Sequence, residues 1–243
     1  MKENTKISQR NSTPLKDMLP DEVRKWGRIA STLYLQRIKG FVVPSAPHFD
    51  NESTAYFVER LRAARSYLEY GAGGSSFMAS QMGKNFISVD SDSYFLRAVK
   101  IKIEKECPRS NAQMGHFIHA DIGLTEAWGV PVFTKLTPSR LAAWKHYFSA
   151  PWLGQFNNFS PDLILVDGRF RVACALTSIF HLTGKKDWEV LVDDYVEREQ
   201  YRVIEQFAVL EKMVGRMAIF KPMKDLNVEA LQNKLLEHET DWW

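Results

Sequence analysis

The stretch Tyr67–Ser80, "YLEYGAGGSSFMAS", decides how this chain is read. A short apolar run carries an acid, Glu69, and three glycines follow within four residues: Gly71, Gly73 and Gly74. A helical pattern opens directly after them. Glycines at a strand-to-helix turn permit a tight bend and let a ligand reach main-chain atoms that a Cβ would cover. In open sheets built of alternating strands and helices, ligands sit beyond the carboxyl ends of the strands, at turns of this kind.

Working outward, the chain from Arg65 onward alternates strand and helix. "SYLEY", "NFISVDSD", "GHFIHADIG", "PDLILVDG" and "WEVLVDD" read as five strands, with "GRMAIFKP" a late strand at the sheet edge. "SSFMASQM", "SYFLRAVKIKIEKEC", "RVACALTSIFHLTG" and "YVEREQYRVIEQFAVL" read as the intervening helices. That alternation predicts an α/β fold, a doubly wound and mostly parallel sheet covered on both faces. Residues 1–64 form an N-terminal tail and helical extension, with residues 1 to about 18 expected to be loosely attached. Two helices, around "DEVRKWGRIASTLYLQRIKGF" and "ESTAYFVERLRAA", complete that extension. Residues 65–243 form the main domain, broken by a long aromatic insertion at 124–160 that reads as a packing excursion or a lid over a substrate.

Composition excludes several classes. With 32 basic and 29 acidic residues in 243, the net charge of +3 is too balanced for a nucleic-acid binder. No apolar run approaches the ~20 residues of a membrane span, and the polar start lacks the centre of a secretion signal. Cys107 and Cys174 have neither metal nor disulfide spacing, which fits a reducing, cytoplasmic setting.

Two details narrow the ligand. The dinucleotide fingerprint requires glycine at the position of Ser76. Pyrophosphate also favours positive potential, so Glu69 is a poor neighbour for it. A cationic, phosphate-free nucleoside such as S-adenosylmethionine suits the place better. From Tyr67 to about Pro222 the chain resembles class I S-adenosylmethionine-dependent methyltransferases. The acid and Gly-rich turn of that family match Glu69, Gly71, Gly73 and Gly74. Its ribose-binding acid matches Asp90, 21 residues after Glu69, and its adenine-side acid matches Asp121. "EYGAGGSS", "VDGRFRVACAL" and "DDY" more narrowly resemble a set of bacterial methyltransferase-like proteins.

A second cluster is expected where "LVDGR" and "LVDDY" end the fourth and fifth strands. Asp167, Asp193 and Asp194 would converge there and repel one another unless something positive sits among them. A hard divalent cation, Mg²⁺ first, is one answer. The arrangement is similar to metal-dependent sugar O-methyltransferases, in which such acids hold Mg²⁺ and the ion holds the acceptor hydroxyls. The "DGRFR" sequence departs from that family, and an Asp–Arg network is the other answer. Arg169 could then hold an anionic acceptor, while Arg171 either faces solvent or pairs with Asp167.

These readings imply methyl transfer to a small acceptor, anionic or hydroxylated, most naturally at oxygen, with Asp167 and Arg169 as catalytic residues. A cofactor-binding module without catalysis and a nicotinamide-dependent oxidoreductase are the alternatives. No nucleic acid or membrane partner is expected, and a homodimer is left open.

Overall fold

The computed structural model describes residues 20–108, 110 and 114–243. The expectation for residues 1 to about 18 therefore lies outside the described residues. Seven strands form one sheet in the order β3-β2-β1-β4-β5-β7-β6. The first five are β1 (Ser66–Tyr70), β2 (Asn85–Asp90), β3 (Gly115–His119), β4 (Leu163–Val166) and β5 (Glu189–Val192), all parallel. β6 (Val209–Val214) and β7 (Met217–Lys221) form a hairpin whose β7 pairs antiparallel with β5. The doubly wound, mostly parallel sheet expected from the alternation is thus present. Chain order reverses between β1 and β4, which sets the switch point where the Gly-rich turn lies.

Two elements differ from the expectation. β7 is internal rather than at the edge, and the edge strand is β6, of which Val209 and Leu210 were read as the end of a helix and the rest as no element. The segment before it forms 3₁₀ turns over Glu199–Gln206 that bury Tyr201 and Ile204. β6 is mostly exposed, so its sequence lacks the apolar alternation by which strands are recognised. A final helix, α7 (Val228–His238), had no counterpart in the sequence reading; only Leu231 in it is buried.

Strand alternation sorts the side chains onto two layers. Leu68, Tyr70, Ile87, Val89, Ile164 and Val166 face one core, built with α6 (Arg171–His181). Tyr67, Phe86, Leu165 and Leu191 face the other, covered by α2 (Asn51–Ala63) through Phe57 and Leu61. Each such side chain contributes about 1.5–3 kcal/mol by leaving water. α3 (Gly74–Gln81) and α4 (Ser93–Glu106) lie on this same side through Phe77, Val99 and Ile103. Because Glu69 follows Tyr67 by two residues, it points into this second layer, toward the start of α3.

α1 (Asp21–Tyr34) continues into a π-helical turn, Leu35–Lys39, and buries only Ile29 and Thr32. Asp50 caps α2, its Oδ1 accepting from Ser53 N at 2.9 Å, and its Oδ2 accepts from Arg216 N at 3.1 Å. That carboxylate is held well below its usual range, first by the Ser53 hydroxyl. The insertion at 124–160 contributes α5 (Pro138–Ser149). Trp144, Tyr147 and Phe148 are buried in the first core against Phe170, and Trp152 is buried there stacked on His181, while Trp128 stays 78% exposed. Tyr70 Oη donates to Phe148 O at 2.8 Å and Trp152 Nε1 donates to Tyr70 Oη at 2.8 Å, tying the insertion to β1.

Candidate functional site

The carboxyl ends of β1 to β5 carry the candidate residues. In the turn after β1, Gly71 adopts φ +101° and its N–H donates to Val89 O at 2.8 Å. A Cβ on Gly71 would stand 2.8 Å from Gly168 N, so the β1 and β4 turns touch at the switch point. A Cβ on Gly74 would meet Ala46 O at 2.1 Å, because the segment before α2 crosses the first turn of α3. Gly73 differs: nothing comes nearer to its Cβ position than the Phe95 ring, at 3.9 Å. Two of the three glycines therefore admit the protein's own backbone, whereas at the third a side chain would meet only the edge of the Phe95 ring at ordinary contact distance.

Glu69 is fully buried. Tyr67 Oη donates to its Oε2 at 2.8 Å, and the Ser76 hydroxyl donates to its Oε1. Ser88, opposite Glu69 in the β1–β2 register, lies 3.3 Å from Ser76 Oγ. Ser76 Oγ also accepts from Gly73 N at 3.1 Å. Burial pushes the Glu69 carboxyl up, and the Ser75, Ser76, Ser88 and Tyr67 hydroxyls pull it back. Ser76, where a dinucleotide fingerprint would have glycine, is thus the link between the acid and the turn.

Asp90 ends β2. Its Oδ2 accepts from Ala72 N at 3.0 Å and its Oδ1 from Asp92 N at 2.9 Å. Burial drives it up to about 6, against those amides. Asp92 in turn caps α4, accepting from Tyr94 N and Phe95 N. Asp121 is exposed after β3 and accepts from Gly123 N at 2.8 Å. Neither Glu69 nor Asp90 has a cationic side chain paired with it among the described residues.

Asp167, Asp193 and Asp194 do converge: one oxygen of each lies within 4.8 Å of the others. Two guanidiniums stand among them. Arg171, 4% exposed, contacts Asp167 Oδ1 at 3.0 Å and Asp194 Oδ2 at 3.1 Å. Arg171 thus pairs with Asp167 instead of facing solvent. Arg216, from the β6–β7 turn, contacts Asp193 Oδ2 at 2.7 Å and Asp194 Oδ1 at 3.2 Å. Sequence gave no sign of Arg216, since only the hairpin brings it to the end of β5. Asp167 is driven up to about 8 by burial, then by Asp193 and Asp194, against the pull of Arg171. Three carboxylates and two guanidiniums thus share this cluster.

Three residues other than glycine have left-handed backbones among the described residues: Trp128 (φ 63°), Phe170 (φ 54°) and Asp194 (φ 55°). Phe170 precedes α6 and Asp194 follows β5, both at this edge of the sheet. Trp128 precedes Gly129, whose Cβ position is 2.9 Å from Ser91 Oγ and 3.6 Å from Arg169 Cγ. Each costs about 1–2 kcal/mol, and such strain gathers at functional sites. Tyr147 Oη accepts from Arg169 N at 3.3 Å, so the insertion reaches the β4 turn. Tyr195 packs on Phe220 and donates to Glu205 at 2.7 Å.

No family model and no curated protein matches this chain. Among solved structures, a methyltransferase-like protein from Silicibacter pomeroyi is 28% identical, with a TM-score of 0.69, over 82% of this chain and 100% of that one. A cofactor-bound protein from MTB is 13% identical over 82% of this chain and 91% of that one, TM-score 0.48. An O-methyltransferase from Bacillus cereus in complex with SAH is 13% identical over 87% and 77%, TM-score 0.40. These last two are too distant to carry an argument. By strand order and by its likeness to the Silicibacter protein, the chain has the Rossmann-like fold of methyltransferases and is similar to a methyltransferase-like protein.

Proposed function

We propose that this protein transfers a methyl group from S-adenosylmethionine to a small-molecule acceptor, at oxygen. The observation that supports it most is the pairing of Asp90 with Ala72 N, which fixes a carboxylate beside the Gly-rich turn. Asp90 and Gly73 fit the ribose and the amino-acid end of such a cofactor: one offers oxygens to hydroxyls, the other a backbone without a side chain. Glu69 acts through Ser76, holding the turn and the first residues of α3 in shape. Asp121 stands at the next strand end, on the adenine side.

The bound cofactor supplies a sulfonium methyl that is already activated, so the chain's task is mainly positioning and exclusion of water. Asp167 takes the acceptor's hydroxyl proton, and its elevated pKa suits a base working near neutrality. Arg169 orients the acceptor from the turn beyond Asp167. The acid cluster does not favour Mg²⁺ as its side chains stand, because every carboxylate already has a guanidinium partner. No step is therefore routed through a metal.

The test is calorimetric titration with S-adenosylmethionine, followed by methyl transfer to a panel of hydroxylated acceptors. Micromolar binding that Gly71→Val and Asp90→Ala weaken, in variants that still fold, supports the assignment. Folded variants that bind as tightly as the parent would remove it.

A further inference from the structure

The acids at the ends of β4 and β5 are matched by Arg171 and Arg216, yet a third arginine beside them has no such match. Arg169 lies two residues past Asp167, in the turn leading to α6. It is partly buried, and its Nε is enclosed with no hydrogen-bond partner. Among the described residues no carboxylate pairs with it, whereas Arg171 and Arg216 each contact two.

Burial first, then the charges of Arg171 from α6 and Arg198 from the segment after β5, disfavours its charged form, against the pull of the Tyr147 and Tyr201 phenols. Arg198 has its guanidinium over the Tyr201 ring, 5.7 Å from the centroid, and no carboxylate partner among the described residues. A guanidinium withdrawn from water without a counter-charge is unfavourable, and fellow cations raise that cost. Its flat fork is suited to two parallel bonds with a carboxylate or a phosphate.

We infer that Arg169, supported by Arg198, is the receptor for an anionic group, carboxylate or phosphate, carried by the methyl acceptor. The word acceptor rests on the methyl-transfer reading. The direction of the charge favours the acceptor over the cofactor. The acids proposed to hold the cofactor lie at β1 and β2, whereas the unmatched cations extend from β4 past β5. An anion at Arg169 also stands next to Asp167, the proposed base, so one turn both anchors the acceptor and deprotonates it.

The full chain, saturated with S-adenosylhomocysteine, is titrated calorimetrically with inorganic phosphate, with benzoate and with neutral benzamide. Phosphate or benzoate is expected to bind saturably and benzamide not, the tighter anion naming the acceptor's group. Arg169→Gln is expected to weaken that binding about tenfold to a hundredfold, and Arg169→Lys by less, since a point charge cannot reproduce the fork. Exposed Lys186→Gln, which changes the net charge equally, is expected to bind as the parent does. Should Arg169→Gln not fold, Arg169→Lys carries the test.

Equal binding of anions and benzamide overturns the inference, as does unchanged anion binding in the Arg169 variants. It also fails if anions compete with S-adenosylhomocysteine and Arg169→Gln loses that nucleoside, since Arg169 would then serve the cofactor's own carboxylate. A parent that binds anions through Arg169 but never the nucleoside keeps the anion site and defeats the methyl-transfer reading instead.

Discussion

The two halves of the sheet's carboxyl edge treat buried carboxylates in opposite ways. At β1 and β2, Glu69 and Asp90 are held by neutral donors alone, hydroxyls for one and backbone amides for the other. At β4 and β5, Asp167, Asp193 and Asp194 are held by guanidiniums. Neutral donors satisfy lone pairs without cancelling charge, so Asp90, once ionised, leaves the first half receptive to a cation. In the second half every carboxylate has a guanidinium partner, while Arg169 stands beside them with no carboxylate partner among the described residues. A cationic methyl donor and an anionic acceptor would meet such an edge in the matching order.

The comparison breaks most readily at Asp193. Asp193→Asn strips Arg216 of its two-oxygen partner and is expected to cost about 2–3 kcal/mol, after allowance for the partial exposure of Arg216. Asp90→Asn, among neutral amides, should cost well under half of that; urea denaturation of both variants checks the ranking, and the reverse order would sink the contrast.

Gly74→Ala tests whether that glycine serves the chain's own packing. A Cβ meeting Ala46 O at 2.1 Å forces the segment before α2 outward, at about 1–3 kcal/mol by thermal melting. An unchanged melting temperature would mean that the segment yields freely.

Asp90→Ala is expected to weaken S-adenosylhomocysteine binding about tenfold or more while the fold persists. The wild-type protein should show the same dependence through pH. Asp90 ionises at about 6, so affinity is level between pH 7 and 8 and declines as pH falls below that value. The stability sign is opposite: its raised pKa means a contribution present at low pH and lost as pH rises through about 6. Asp167 gives a separate limb, with turnover rising as the pH climbs through about 8. A flat profile across both ranges would detach these acids from function.

The smallest effect is expected from a chelator. Because the β4–β5 acids already have guanidinium partners, EDTA should leave turnover unchanged; an activity restored only by Mg²⁺ would reverse that half of the contrast.

Much of this edge was legible from residue order. Glu69, Asp90, Asp167, Asp193 and Asp194 all follow short apolar runs, and strands that end in acids announce a shared edge. The three glycines were legible as a turn, but not which of them the chain's own backbone crowds, since Ala46 and Gly168 approach from distant parts of the chain. β6 was missed because an exposed edge strand carries charges on both faces. Arg216 was missed for a different reason: an arginine after a turn glycine has no local signature, and only the hairpin brings it back to Asp193, 23 residues earlier in the chain.

By itself, then, the sequence determined the alternating fold, the turn after β1 and the acids at the strand ends, because apolar periodicity and glycine placement act locally. Tertiary structure alone decided which acids keep their charge and which lose it to a neighbour. Electrostatic partnership depends on distance in space, and the arginines that settle it reach the site from α6 and from the far hairpin.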